Sequence, residues 1–186
     1  MSIRKFLENE IIAAGERVLG KKDSFSPVVF YLCKNGEGDL CTPWIISNSA
    51  VSVAEEIVQA LGNVSEVGFT LASGYINMHF TDKFISDSIN KMAEEFKPDN
   101  FYSVIPDDST ESFIQDYCVY RACNIEGDMA EEEYFTGELR EVAVAVIGAE
   151  VTGNKEVLKK AIEKMCRKNA VSKRLLRAAA CVLNKK

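Results

Sequence analysis

The sequence holds one histidine, one tryptophan and four prolines in 186 residues. A single histidine, His79, excludes a His-rich metal site. It also leaves any Ser-His-Asp or Cys-His arrangement dependent on that one residue. The six cysteines, Cys33, Cys41, Cys118, Cys123, Cys166 and Cys181, form no C-x-x-C pair. Their spacing therefore does not point to zinc, and they read as small buried or half-buried thiols in a reducing compartment. No G-x-G-x-x-G, no G-x-x-x-x-G-K-[ST] and no G-x-S-x-G occurs, so phosphate-cradling and nucleophile-elbow signatures are missing. No apolar run approaches the 18 or more residues of a membrane span. The charged start, Met1 to Glu10, does not read as a secretory signal. Four prolines and 11 glycines leave little room for a long disordered tract.

Apolar residues make up 47% of the chain, enough for a core, and 186 residues allow one domain or two small ones. Charge is unevenly placed. Residues 1–150 hold 11 Lys+Arg against 26 Asp+Glu, a net −15, and residues 151–186 hold 11 against 2, a net +9. A basic tail on an acidic body suggests a polyanion partner or an internal acidic one. The paired acids Glu37 and Asp39, and Asp107 and Asp108, lie in turn-like sequence. Glu131-Glu132-Glu133 reads as an acidic helix start.

Along the chain, residues 3–19 carry apolar side chains at helical spacing, and Gly20 is placed to stop that helix. Residues 27–33 read as a strand, 35–39 as a turn, and Ser49 to Leu61 as a helix with Ser52 a possible cap. Val64 to Phe80 reads as a hairpin. In its second arm Ile76, Met78 and Phe80 share one face, and Tyr75, Asn77 and His79 the other, which should meet solvent or a partner. Another helix opens at Thr81-Asp82-Lys83. Residues 98–110 read as a linker. From residue 111 the pattern is helical, in segments Phe113 to Ile125, Glu131 to Glu150, Glu156 to Lys168 and Ser172 to Leu183, with Gly148 to Gly153 separating the second from the third. The expected architecture is an α+β domain over 1–97, with a small antiparallel sheet and helices, then an all-α bundle over 111–186.

Three segments carry a resemblance. Gly38-Asp39-Leu40-Cys41-Thr42, followed by Ala54-Glu55-Glu56-Ile57 and Leu61, resembles the turn and helix of the N-terminal additional domain of arginyl-tRNA synthetases. Gly74-Tyr75-Ile76-Asn77, continuing to Ser86, is similar to the strand and helix that close that domain. Tyr117-Cys118-Val119-Tyr120-Arg121-Ala122-Cys123-Asn124-Ile125 looks like the helix entering the family's anticodon-binding domain, with Val119 where the family has His. The chain thus resembles the two RNA-contacting ends of such an enzyme joined directly. The nucleotide-binding catalytic domain and its signatures are absent between them, and 126–186 would be a shortened helical domain.

The resemblance implies a non-catalytic, cytoplasmic protein that binds tRNA or another structured RNA, with no metal or small cofactor and no membrane or DNA partner. It carries loop contact over to Tyr75 and Asn77, although the family's upstream amide is Ala72 here. It carries anticodon-loop contact over to Tyr117 and Arg121. Aromatic stacking and hydrogen bonds to exposed base edges are how unpaired RNA is read. His79 shares the face of Tyr75. The basic residues Lys164, Arg167, Lys168, Lys173, Arg174 and Arg177, with Lys159 and Lys160, would hold phosphates. Each of these also has an ordinary structural reading, as a strand residue, a packed helix residue or a solvated face. A protein partner met through the acidic body is the alternative, with RNA binding lost or secondary. A tRNA-modification helper, binding both RNA and an enzyme, is a further form of it.

Overall fold

The protein is described from a computed structural model. It covers residues 2–20, 28–33, 36–43, 51–62, 64, 66–97, 113–124, 134–167 and 172–184, with side chains 51, 52, 113–116, 119, 123 and 165–167 outside that description. The linker expected at 98–110, Asp107-Asp108, Glu131-Glu132-Glu133 and Lys168 lie outside the described residues. The chain divides into two compact units, Met1–Phe84 and Ile85–Lys186. The layout is an α+β unit with a small antiparallel sheet, followed by a helical one. Among the described residues, no helix is long and apolar enough to cross a membrane.

In the first unit, helix α1 (Ile3–Leu19) opens where the Ser2 side chain accepts from the Lys5 N–H at 3.3 Å. It closes at Gly20, whose φ of 63° carries the left-handed stop that glycine allows. Strands β1 (Tyr31–Leu32), β2 (Leu40–Pro43), β3 (Val67–Ala72) and β4 (Tyr75–Phe80) form one antiparallel sheet in the order β1-β2-β4-β3. Ser73 (φ 54°) and Gly74 (φ 82°) make the two-residue turn between β3 and β4. Positive φ at both central positions matches the twist of the hairpin arms. The inner sheet face, with Leu40, Val67, Ile76, Met78 and Phe80, is buried together with Leu7 and Ile11 of α1 and Ile57 and Leu61 of helix α2 (Val51–Leu61). The rings of Phe80 and Phe84 lie 4.8 Å apart, and Phe6 lies 6.3 Å from Phe84.

Asp39 fastens the turn before β2 onto β4. Its N–H donates to the Met78 carbonyl at 2.8 Å and its carboxylate accepts from the Phe80 N–H at 2.7 Å. Gly38 is there for lack of space: a Cβ would lie 3.0 Å from the Met78 carbonyl oxygen and 3.2 Å from both the Asn77 Cβ and the Cys33 Sγ.

The division between the units falls inside helix α3 (Asp82–Glu94), whose first turn is capped by Thr81 Oγ1 accepting from the Phe84 N–H at 3.2 Å. The second unit continues with α4 (Phe113–Asn124), α5 (Gly137–Thr152), α6 (Lys155–Arg167) and α7 (Lys173–Asn184). Each helix is expected from the sequence, but α5 runs through Gly148 and stops at Gly153, where φ is 76°. Gly148 is buried and its carbonyl accepts from Thr152 Oγ1 at 2.7 Å, so it serves close packing inside the helix and does not break it. α5 and α7 bury eight residues each, including Val146, Ile147, Leu175, Leu176 and the run Ala178-Ala179-Ala180. These two helices form the middle of the unit.

Candidate functional site

The register of the sheet sorts its residues into faces. Tyr31 pairs with Cys41, Cys41 with Asn77, Pro43 with Tyr75, Thr70 with Asn77 and Ala72 with Tyr75. Alternation along each strand puts all of these on the face opposite the core, together with His79, Cys33 and Val29. Val29, Tyr31 (50% exposed) and Tyr75 (40% exposed) are three of the large apolar side chains that the described residues leave exposed. His79 and Thr70 are exposed beside them, with Thr70 Oγ1 2.9 Å from His79 Nε2. None of these residues is a lysine or arginine. The acids Asp39 and Glu37 lie close enough for their fields to act on Cys33.

Asn77 departs from the expectation that it meets solvent. It is 2% exposed. It lies mid-strand between β2 and β3, and Cys33 and Gly38 close over it. The Cys33 thiol donates to its Oδ1 at 3.6 Å, and its Nδ2 is buried without a hydrogen-bond partner among the described residues. An RNA base could not reach this amide without moving the cover. Tyr75, next to the turn, has no such cover.

On α4, Cys118 and Ala122 are buried, and the Cys118 thiol donates to the Leu176 carbonyl at 3.4 Å. Tyr117 and Arg121 occupy the flank of that buried face and are half-buried. Arg121 Nε is buried without a hydrogen-bond partner among the described residues. Tyr120 is exposed on the outer side, where its carbonyl accepts from Asn124 Nδ2 at 2.8 Å.

The basic residues are drawn into their own unit. Arg174 Nη1 donates to Asn90 Oδ1 of α3 at 2.6 Å, and the Arg177 guanidinium lies 5.7 Å from the centre of the Phe96 ring. Lys164 is 3.0 Å from Glu141, whose carboxylate raises the lysine pKa, and Lys159 is 3.0 Å from Glu156. Lys155 Nζ donates to the Leu183 carbonyl at 2.8 Å, near the end of α7. Lys173 is half-buried. The Arg167 side chain lies outside the description, as does Lys168.

Tyr31 and Val29 carry no mark in the sequence, because residues 27–33 form one apolar run that reads simply as a strand; the observed alternation of buried Val28 and Phe30 with exposed Val29 and Tyr31 is that of a sheet with one wet face. No protein-family model matches this chain, and no curated protein or solved structure matches it. Among the described residues there is no group of three or more His, Cys, Asp or Glu side chains that could hold a metal ion.

Proposed function

We propose that the chain is a non-catalytic binding protein of the cytoplasm, that its contact surface is the outer face of the sheet, and that its ligand is an unpaired loop of a structured RNA such as tRNA. The observation that carries the reading is that Tyr75, Tyr31 and Val29 are all exposed on that one face. The resemblance of the segments around Gly38, Tyr75 and Tyr117 to the RNA-contacting ends of arginyl-tRNA synthetases supports it. In this reading Tyr75 stacks on a base, His79 or Thr70 offers a hydrogen bond to a base edge, and Asn77 holds the sheet from beneath. Tyr117, Tyr120 and Arg121 form a second contact in the other unit. Lys155, Lys159, Lys164 and Arg174 contribute little, because each is engaged by a partner within the protein.

Titration of labelled bulk tRNA into wild type and Tyr75→Ala tests this. Loss of a stacked base costs about 1–3 kcal/mol, so the variant should bind roughly 5- to 150-fold more weakly. The salt slope should correspond to only a few phosphates, at about 0.7 in log K per phosphate for single strands. Absence of binding at low salt, or equal binding by both proteins, overturns the reading.

A second reading rests on Glu37 and Asp39. An aromatic face with acids at its rim and no lysine or arginine among its described residues suits a protein partner, since tyrosine is enriched at protein interfaces. If tRNA is not bound, a partner protein on this same face is the reading that replaces RNA.

A further inference from the structure

Two cysteines to which the proposed function gives no role share the outer face of the sheet. Tyr31 is paired with Cys41, so Cys33, two residues beyond Tyr31, points to the same side as Cys41. Cys41 is buried directly across from Asn77, and the Cys33 thiol rests 3.6 Å from Asn77 Oδ1. The register thus makes the two thiols diagonal neighbours on one face, with the Asn77 side chain against both positions. Gly38 leaves the room, since a Cβ there would stand 3.2 Å from Cys33 Sγ. Asn77 Nδ2, on a side chain 98% buried, has no acceptor among the described residues.

We propose that Cys33 and Cys41 form a two-thiolate site for a soft monovalent d10 cation, copper(I), with Asn77 donating its unused N–H to a metal-bound sulfur. Thiolate donors select copper(I) among biological cations, whereas zinc asks for four ligands, and no group of three or more candidate ligands exists among the described residues. In the binding step each thiol releases its proton to solvent and gives a sulfur lone pair to the ion. No electron is transferred and no oxidant is needed. Once Cys33 is a thiolate it no longer donates to Asn77 Oδ1, and a turn of the amide brings Nδ2 to the place Oδ1 holds, 3.6 Å from Cys33 Sγ, as the usual outer-shell support of such a site. A disulfide between the same two sulfurs would offer the Asn77 amide no charged acceptor, which favours the metal.

The test is anaerobic competition of the reduced full chain with the coloured copper(I)–bicinchoninate complex. Wild type should withdraw one more equivalent of copper than Cys33→Ser/Cys41→Ser. Asn77→Ala should weaken that equivalent by about 10- to 100-fold, the usual cost of losing an outer-shell partner. Equal copper uptake by wild type and the double variant overturns the proposal. Where a variant loses its fold, the side-chain amide resonances of Asn77 in wild type decide: a shift on adding one equivalent of copper(I) supports the site, and unchanged resonances overturn it.

Discussion

Cys33 shows how one side chain's surroundings set its chemistry. Burial pushes its thiol up to about 12, and the neighbouring Cys41, Asp39 and Glu37 add to the rise. Burial raises the Cys41 thiol as well. A raised value means that the neutral thiol is the form the fold prefers. The stability this preference contributes is fully present below the ordinary thiol pKa near 8.5, and it is lost as pH climbs from there toward 12. Reactivity follows the same titration, because the thiolate is the nucleophile. Alkylation of Cys33 by iodoacetamide, followed by peptide mass spectrometry, should therefore still rise about tenfold per pH unit through pH 10. A free thiol would level off near 8.5. A plateau below pH 9.5 would contradict the environment described. None of this was legible in sequence: Cys33 and Cys41 share no spacing rule, and only the strand register makes them neighbours. Asn77 shows a related limit. Alternation put it on the outer face, where it is, but could not show that Cys33 and Gly38 cover it.

At the level of elements, the sequence read well wherever a local signal marks an end. Ser2 and Gly20 bound α1, Thr81 caps α3, and Ser73-Gly74 close the hairpin, each through a hydrogen bond or a dihedral that these residue types favour. It read less well where packing decides. Gly148 looks like a helix break, but it is carried inside α5 because the helix is buried there on most sides. The basic side chains of α7 look like a phosphate patch, yet the helix that bears them is central to its unit. Arg174 and Arg177 are held by Asn90 and Phe96. Arg174→Gln/Arg177→Gln should thus lower stability, by roughly 1–3 kcal/mol for the charged hydrogen bond and less for the ring contact. It should leave the salt dependence of tRNA binding unchanged. Denaturant unfolding and the salt titration check the two halves. A reduced salt slope with unaltered stability would return these arginines to the RNA surface.

For the whole molecule, the charge asymmetry takes on a different meaning once the units are known. Residues 1–84 hold 7 Lys+Arg and 10 Asp+Glu, a net −3, while residues 85–150 hold 4 and 16, a net −12. The acidic stretch therefore belongs to the same unit as the +9 of residues 151–186, and the Lys164–Glu141 pair joins the two stretches directly. Lys164–Glu141 is one internal contact of the kind the composition allows for the basic tail. Screening should weaken this attraction, since the Debye length falls from about 30 Å at 0.01 M salt to about 8 Å at 0.15 M. The melting temperature should fall by a few degrees between those concentrations, as about 1 kcal/mol corresponds to roughly 2–4 °C at this size. A melting temperature that rises with salt over that range would mean that repulsion among the acids dominates.

Gly38, Asp39 and Asn77 belong to the frame of the sheet, as a close approach, a strand clasp and a covered amide. Tyr31 and Tyr75 belong to its surface. The frame can be inherited while the surface is rewritten. Another chain bearing Gly-Asp before a strand and Asn three residues after a turn glycine can be expected to build this sheet. What that chain binds must be looked for in the residues that stand where Tyr31 and Tyr75 stand here.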